Sequence, residues 1–391
     1  MSDTALTLKT HGRAREIPEA RWNALLTDDD TPFQRRVWFD AMEANGCATA
    51  RRGWQPMHLG LYRGDALVAL APAYARGDSQ GEFVFDHGWA RAAAEAGIAY
   101  YPKLTLAVPF TPVTGRRVLT APGEDRPALV RSLFAALPEL IAGLGLSSAH
   151  ALFVTDDEAA LAAEAGAAIR YGAQYHWFKG GCQAWGDYLA RFDSKRRNQV
   201  KRESRAPAEQ GVTITTRRGR ELGVDDAPLV HRLYRSTVDR FMWGRPYLNE
   251  GFFADVLTRS PEACELVEAR DGGRVIAGAF NVGDGRRLFG RYWGCFEERP
   301  FLHFNVCYYH SIAECLARGV ERFEGGAGGE HKISRGFEPA RTASAHYIAD
   351  PRLDRAVRGA LLGERAAVEL EIEEIRRTMG FRPVLAPPGM E

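Results

Sequence analysis

The sequence predicts an α/β (α+β) chain of two domains, each built on a mixed, largely antiparallel sheet. Its 391 residues exceed what one ordinary core accommodates. Apolar residues make up 45% and charged residues 26%, which is the balance of a globular protein. Helical and strand patterns alternate in both halves, with a break near Gly180-Gly181. We therefore place one domain at residues 1–180 and the other at residues 181–391.

The first half alternates helices with strands. Pro18 and Pro32 each stand at the start of a helical pattern, where the missing N–H of proline is tolerated. Residues 58–63 and 66–75 are predicted strands joined by a short Gly-Asp turn, which is a hairpin signal. The other predicted elements are helices at 17–26, 33–45, 127–144 and 158–165 and strands at 105–109, 117–120, 150–155 and 169–178.

The second half has the element order of a known fold. Three strands at 265–269, 275–282 and 287–295 form a meander, with turns at Asp271-Gly272-Gly273 and Asp284-Gly285. The other predicted elements are helices at 184–206 (ended by Pro207), 227–241, 249–257, 303–318 and 354–379 and strands at 212–217 and 322–325. A meander that feeds a helix returning to the sheet is the skeleton of the GNAT acyltransferase fold.

Charge and cysteine usage exclude several classes of protein. Lys plus Arg number 51 against 50 Asp plus Glu, so any contact with nucleic acid must come from a local patch. The six cysteines form no CxxC pair and no metal-ligand spacing, which predicts free thiols in a reducing cytoplasm and no metal site. The longest apolar stretch, residues 66–75, is about half of what a membrane span needs. We expect a soluble, cytoplasmic protein without a membrane span.

Several short segments together resemble a bacterial family of predicted N-acyltransferases, often labelled as peptidoglycan-biosynthesis proteins and distantly related to the Fem aminoacyltransferases. The segments are residues 83–89, 100–103, 108–115, 195–198, 243–247, 290–294 and 328–337. They spread over most of the chain, and their combination is specific although each alone is weak. The resemblance implies two tandem GNAT-like domains and the transfer of an acyl group to an amine. It fixes neither the donor nor the acceptor.

The glycine-rich segment 325–332 carries the main candidates for catalysis. Four glycines in five residues allow a close approach of the backbone to a substrate. Glu330 or His331 could take a proton from an incoming amine, and Lys332 could offset oxyanion charge, with Arg335 close by. The stretch from Lys332 to Phe337 also resembles an element of Fem-type transferases in which a lysine near the acyl donor is functional. The alternative is a surface glycine turn with solvated charges.

The strand at 287–295 occupies the place at which a GNAT sheet splays to admit the donor. Arg291, Tyr292 and Trp293 could therefore line a cleft, although ordinary aromatic packing in a core strand is an equal alternative. His303 begins the next helix as a further substrate-binding candidate. Tyr309 on that helix is a candidate acid for the leaving group, with a core position at least as well supported.

The loop after this strand, residues 296–300, lacks the glycine-containing cradle that holds coenzyme A pyrophosphate in GNAT enzymes. Its two glutamates would repel phosphate. The departure marginally favours aminoacyl-tRNA, the donor of Fem relatives, over acyl-CoA, which stays the close alternative. Four basic residues of one helix are candidate phosphate contacts for tRNA, against a merely solvated helix: Lys195, Arg196, Arg197 and Lys201.

Polar residues set in apolar loops of the first half are candidates for the acceptor pocket, against ordinary buried hydrogen bonding. They are Asp86, His87, Trp89, Tyr101 and Lys103. The sequence holds no GxSxG elbow, no HExxH and no Walker-type phosphate loop, which removes hydrolases, zinc proteases and P-loop enzymes from consideration.

The sequence thus predicts an N-acyltransferase that moves an acyl or aminoacyl group onto a small-molecule or peptide amine. No tightly bound cofactor is expected, because the acyl donor, aminoacyl-tRNA or acyl-CoA, acts as a co-substrate. tRNA is then the expected macromolecular partner. A GNAT-shaped binding module without catalysis is the alternative from another class. The oligomeric state is not predicted.

Overall fold

The computed structural model of the chain describes residues 5–240 and 244–384. It divides into two compact units: unit 1 comprises Met1–Gly172 and Thr342–Leu370, and unit 2 comprises Ala173–Arg341 and Glu371–Glu391. The sequence-based boundary at residue 180 differs from this division, which also places residues 342–370 with unit 1. Two features of the sequence analysis, Trp243 of the segment 243–247 and the end of the helix predicted at 227–241, lie outside the described residues.

The strands of the two units follow in chain order. They are β1 (Leu6–His11), β2 (Trp54–Pro56), β3 (His58–Arg63), β4 (Ala66–Ala71), β5 (Ala73–Arg76), β6 (Lys103–Leu106), β7 (Leu119–Thr120), β8 (Ser148–Val154), β9 (Ala168–Phe178), β10 (Val212–Arg218), β11 (Cys264–Asp271), β12 (Arg274–Gly283), β13 (Arg287–Cys295), β14 (Arg322–Glu324) and β15 (Glu338–Ile348).

The helices alternate with these strands. They are α1 (Glu19–Asn23), α2 (Arg36–Ala44), α3 (His87–Glu95), α4 (Arg126–Gly143), α5 (Asp156–Glu164), α6 (Trp185–Ala190), α7 (Ser194–Glu209), α8 (Ala227–Val238), α9 (Glu250–Arg259), α10 (Leu302–Phe304), α11 (His310–Arg318) and α12 (Pro351–Thr378). A π-helical segment, Asn305–Tyr309, joins α10 to α11. Among the described residues, no helix combines the length and the hydropathy needed to cross a membrane.

In each unit the described strand pairs include a parallel pair beside antiparallel ones. In unit 1, β6 and β8 run parallel, with β5 and β15 antiparallel beside them. A second sheet of unit 1 has the order β1-β3-β4-β7. In unit 2, β10 to β13 form an antiparallel run, β13 and β14 run parallel, and β9 is antiparallel to β14. These are the mixed, largely antiparallel sheets that the sequence predicts.

The core of each unit forms between its sheet and the helices packed against it. In unit 1 the buried side chains of α4, at four-residue spacing, form one apolar stripe, as expected for an amphipathic helix: they are Leu129, Leu133, Leu137 and Ile141. In unit 2, Leu288 of β13 and Phe323 of β14 pack with Ile312 and Leu316 of α11. This second cluster fixes one face of the β13–β14 pair against the helix.

The strand predicted at 66–75 is interrupted at Pro72. Ala66–Ala71 pairs with β3 and β7, whereas Ala73–Arg76 pairs with β2 and β6, so the two pieces belong to different sheets of unit 1. Proline has no N–H to donate to a ladder, which explains why the strand ends there. The hairpin between β3 and β4 is confirmed.

The single helix predicted at 184–206 is wrong, because the chain breaks into α6 and α7. Asp193 caps α7 by accepting a hydrogen bond from the Arg196 N–H at 2.8 Å. Pro207 does not stop α7, which continues to Glu209. Helix α3 was not predicted, and His87 and Trp89 were expected in loops, although the alanine-rich run after them favours a helix.

Candidate active site in unit 2

The candidate site lies where β13 and β14 part. Their ladder joins Arg287–Phe289 to Arg322–Glu324, and then β14 ends while β13 continues to Cys295. β12 pairs Phe280 with Tyr292 and Asn281 with Gly290, so Arg291 is an extra residue in a β-bulge. Beyond Phe289, β13 therefore has one edge without a partner strand among the described residues. An open strand edge presents main-chain groups that a ligand can pair with.

The glycine-rich segment runs beside this open edge. Gly326, Gly328 and Gly329 all have positive φ angles, which glycine adopts without the steric cost of a Cβ. A Cβ on Gly326 would lie 3.4 Å from the Gly290 carbonyl oxygen, so the two backbones pass close to each other. The structure thus brings the glycine-rich segment next to β13, as the GNAT-like order predicts.

Lys332 holds this segment from inside. Its side chain is buried, and Nζ donates hydrogen bonds to the carbonyl oxygens of Gly326, at 2.6 Å, and of Gly328. Burial lowers the pKa of Lys332 to about 8. The charge that the sequence analysis aimed at an oxyanion is therefore used first to fix the backbone of the loop. Glu330, two residues earlier, is exposed.

His331 belongs to an aromatic cluster on one face of the sheet. Its ring lies 5.8 Å from that of His303, which is 5.0 Å from the Trp293 ring. His331 Nε2 and the Tyr308 hydroxyl share a hydrogen bond of 3.0 Å. Burial, assisted by His331, lowers the pKa of His303 to about 4, and burial also lowers the pKa of His331. The structure thus brings the rings of Trp293, His303 and His331 together, and the lowered pKa values favour the neutral form of both imidazoles.

Tyr292 lies on the opposite face, because side chains alternate along a strand. Its ring packs against those of Tyr234 at 5.2 Å and Phe253 at 5.6 Å, from α8 and α9. The Arg291 guanidinium is 5.5 Å from the Tyr292 ring. The three consecutive candidates of β13 are therefore not one cleft wall but are divided between two faces of the sheet.

Arg335 and Tyr309 meet in a buried network that the sequence did not predict. The Tyr309 hydroxyl donates to Glu203 Oε2 at 2.6 Å, and Arg335 donates to the same oxygen at 2.8 Å. The Arg335 guanidinium also stacks 3.3 Å from the Phe304 ring centre. Burial, with Glu203 adding to it, raises the pKa of Tyr309 well above its ordinary range. The Tyr309 hydroxyl, proposed as an acid, is thus buried and its proton is already engaged in a hydrogen bond to Glu203. This agrees with the alternative that Tyr309 is a core residue.

Glu203 is the residue that sequence reasoning missed here. It stands among the basic residues of α7 and therefore looks like one more solvated charge. Val200, three residues before it, and Ala206, three residues after it, are both buried and lie on the same helical face. That spacing is the signal that could have predicted a buried carboxylate.

The basic residues of α7 have different surroundings. Arg197 donates to the carbonyl oxygens of Leu189 at 3.0 Å and Phe192 at 2.9 Å, so it caps the end of α6 and its turn. Arg196 donates to Gln199 within α7 at 2.7 Å. Lys195 and Lys201 are exposed. These two lysines are consequently the better candidates for contact with a polyanion.

The glutamates after β13 are paired with arginines. Glu297 lies 2.5 Å from Arg274 and also contacts Arg299, and Glu298 lies 2.7 Å from Arg240. Their negative charges are thereby partly compensated. The repulsion of phosphate that the sequence analysis expected from them is weakened, although the glycine cradle is still missing from the loop.

The acceptor candidates of the first half form a buried ionic cluster within unit 1. Lys103 is fully buried and donates to Ser79 Oγ and Glu82 Oε2, each at 2.8 Å, and to Asp86 Oδ2 at 2.5 Å. Burial raises the pKa of Asp86, but Lys103, together with His150 and Ser79, outweighs burial and holds this pKa below its ordinary range. The Tyr101 hydroxyl shares a 2.8 Å hydrogen bond with Ser79. This arrangement fits the alternative of buried hydrogen bonding.

The other two candidates of unit 1 differ from each other in their surroundings. Trp89 is buried on α3 with its ring 4.8 Å from that of His346. His87, at the start of the same helix, is exposed. The two side chains therefore do not share one environment, although only one residue separates them.

Comparison with known proteins decides the family. Residues 13–383 match the FemAB-like family, whose description is peptidoglycan biosynthesis/recognition. The chain belongs to the FemAB-like family. This confirms the resemblance drawn from the dispersed segments. No curated protein matches the chain.

The solved structures to which this FemAB-like protein is similar have low sequence identity to it. FemX is 10% identical with a TM-score of 0.53, over 88% of this chain and 98% of FemX. A tandem GNAT protein from the clavulanic acid biosynthesis pathway is 14% identical, with a TM-score of 0.46, over 89% of this chain and 99% of its own. L-PGS from Bacillus licheniformis is 9% identical, with a TM-score of 0.48, over 91% of this chain and 100% of its own.

These likenesses are likenesses of fold. The predicted α/β class with mixed, largely antiparallel sheets is confirmed by the structure and by the fold that the chain shares with FemX. Membership of this family supports an acyl- or aminoacyltransferase in general.

Proposed function

We propose that this FemAB-like protein is an N-acyltransferase that moves an acyl or aminoacyl group onto an amine, with aminoacyl-tRNA as the preferred donor. The observation that carries the proposal is the parting of β13 and β14 beside the glycine-rich segment. An acyl ester laid along the open edge of β13 would have its carbonyl next to main-chain N–H groups. Such groups, fixed before the reaction, stabilise a developing oxyanion.

The chemistry needs little beyond position and proton transfer. Holding the amine against the ester carbonyl turns a bimolecular reaction into an effectively unimolecular one, which is a large part of catalysis. Lys332 contributes by fixing the carbonyls of Gly326 and Gly328, and hence the shape of the loop. A base must also take the proton of the attacking amine.

Two observations bear on the donor. The missing glycine cradle after β13 and the exposed Lys195 and Lys201 of α7 favour aminoacyl-tRNA. The pairing of Glu297 and Glu298 with arginines favours acyl-CoA as the second candidate, because a phosphate near them meets less negative charge. The acceptor is proposed only as a primary amine of a small molecule or peptide.

A cytoplasmic location is part of the proposal. All six cysteines are thiols rather than disulfides, and five of them are buried. Free thiols are typical of proteins in a reducing compartment.

The test offers both donors to the purified protein with a panel of amines. Total bacterial tRNA charged with amino acids, or acetyl-CoA, is incubated with L-lysine, a lysine-containing tetrapeptide or ethanolamine, and new amides are sought by mass spectrometry. We expect an amide product from aminoacyl-tRNA. Amides from acetyl-CoA alone, with submicromolar binding by calorimetry, would reverse the donor preference. If neither donor yields an amide, the non-catalytic binding module becomes the better explanation.

A further inference from the structure

Glu324 is a carboxylate enclosed at the point where the two strands part. It is the last residue of β14 and directly precedes Gly325 of the glycine-rich segment. The residue is 3% exposed. In the ladder it stands opposite Phe289, the last residue of β13 to pair with β14. The carboxylate is therefore at the inner end of the opening.

The register assigns Glu324 to a face of the sheet. Its neighbour Phe323 packs with α11, so Glu324 points to the other side. Paired residues share a face, and the pairs Phe289–Glu324, Val282–Phe289 and Phe280–Tyr292 therefore place Glu324 on the face of Tyr292. This face is the one covered by Tyr234 and Phe253, away from Trp293 and His331.

Glu324 has charged and polar neighbours, but none of them donates a well-directed hydrogen bond to its carboxylate. Neither carboxylate oxygen accepts a hydrogen bond of good geometry within the described residues. Arg322 Nη2 lies 3.1 Å from Oε1, and His176 Nε2 lies 3.7 Å from Oε2. Burial lowers the pKa of His176 to about 4, with Glu324 opposing and Arg322 and Lys332 adding to the shift, so this imidazole is neutral at pH 7.

A buried carboxylate with unused acceptor positions is costly, and native proteins seldom keep one without a role. Arg322 supplies a compensating charge but leaves the lone pairs of both oxygens unpaired by hydrogen bonds. The group that would complete this environment is a small donor with N–H bonds. The attacking amine of an acyl transfer is such a donor, and it must reach this opening to meet an ester on β13.

We propose that Glu324 is a catalytic residue that binds the acceptor amine and takes its proton. The amine nitrogen forms a bond to the acyl carbon while its proton passes to a Glu324 oxygen. The ester C–O bond, or the thioester C–S bond, then breaks, and the leaving oxygen or sulfur receives that proton. An amide and an alcohol or thiol result, and Glu324 is again a carboxylate. The inference rests on the proposed function and gives Glu324 the role considered above for Glu330 or His331.

The variant Glu324→Gln tests the proposal, since it keeps the shape and removes the base. We expect kcat to fall by roughly 100-fold or more, the usual contribution of a general base, with KM for the donor unchanged. In the wild type the rate should rise with pH as the base loses its proton, and in Glu324→Gln this rise should be absent. Glu324→Asp should restore part of the activity. Glu321→Gln is the matched control, because Glu321 is an exposed glutamate three residues earlier, paired only loosely with Arg286 at 3.5 Å.

A binding measurement keeps the test independent of the transfer assay. Methylammonium chloride, titrated against equal concentrations of tetramethylammonium chloride, should raise the Tm of the wild type and of Glu321→Gln but not of Glu324→Gln. Tetramethylammonium has the charge but no N–H bond. Folded Glu324→Gln with near-normal kcat overturns the proposal while the transferase function stands. If the wild type transfers to no amine, the proposed function fails, and absence of a methylammonium effect then overturns the amine site as well.

Discussion

Tyr292 and Trp293 are consecutive in β13, yet their rings pack on opposite faces of the unit 2 sheet. Tyr292 meets Tyr234 at 5.2 Å, and Trp293 meets His303 at 5.0 Å. The opening between β13 and β14 therefore has two unlike sides. One carries the imidazoles of His303 and His331, and the other carries Glu324 and the Tyr292 ring. Under the proposed function, donor and acceptor would approach the strand edge from different faces.

The low pKa of Lys332 predicts a pH-dependent cost of folding. Burial lowers this pKa from 10.5 to about 8, so between these values the unfolded chain binds more protons than the folded one. Stability then rises with pH through this window, and the cost of the buried charge is fully present below pH 8. The unfolding free energy of the wild type minus that of Lys332→Met should therefore increase from pH 7.5 to pH 10, because only the wild type gains stability in this window. Urea denaturation at several pH values measures it.

The surface substitution Lys201→Met is the control for that series, because Lys201 is exposed on α7. Its urea midpoint at pH 7.5 should stay near that of the wild type. If the difference in unfolding free energy between the wild type and Lys332→Met does not change with pH, the ammonium group is not buried as the structure shows.

Glu203 should contribute to stability through Arg335. Glu203→Ala would leave the buried guanidinium of Arg335 without its carboxylate and the Tyr309 hydroxyl without its acceptor. Removing one member of a buried ion pair typically costs about 3–5 kcal/mol. Chemical denaturation should show a loss of this order, whereas Glu209→Ala, an exposed glutamate at the end of α7, should change stability by less than about 0.5 kcal/mol. Equal effects of the two variants would speak against the network.

The sequence predicts the β11–β13 meander well, because strand alternation and glycine turns are local signals. It predicts the buried partners poorly, since these depend on contacts distant in the chain. Glu203 meets Arg335 across 132 residues, and no local pattern at Arg335 reveals that contact. Tyr309 and Tyr292 were proposed as site residues because of their residue type and their place in the predicted elements. The direction of each ring depends on the π-helical turn and on the bulge at Arg291, which the sequence does not show. Pro72, by contrast, was a local signal that could have been used.

The basic residues of α7 should separate into two classes. If aminoacyl-tRNA is the donor, Lys195→Glu with Lys201→Glu should weaken tRNA binding and flatten its salt dependence by roughly 0.7–0.9 in slope for each phosphate that is no longer neutralised. Charge reversal at Arg196 should act in the same direction. Arg197→Ala should instead destabilise the fold by about 1–3 kcal/mol, because it leaves the carbonyls of Leu189 and Phe192 uncapped. Filter binding at several salt concentrations and denaturation distinguish the two effects. An unchanged salt slope for the lysine pair would place tRNA elsewhere.

The gap between the glycine-rich segment and β13 should be sensitive to a single methyl group. Gly326 has φ +80° and a Cβ there would lie 3.4 Å from the Gly290 carbonyl oxygen, whereas Gly328 has φ +65° and nothing within 4 Å of its Cβ position. The carbonyl oxygens of Gly326 and Gly328 both accept a hydrogen bond from Lys332, so the two positions are matched in this contact. An alanine at either position carries a similar backbone cost, about 1–2 kcal/mol for a left-handed conformation. Only Gly326→Ala also fills the space beside β13. We therefore expect the two variants to lose similar stability in urea, while Gly326→Ala alone loses acyl transfer. Equal losses of activity would mean that backbone strain, rather than the space along the strand edge, governs the reaction.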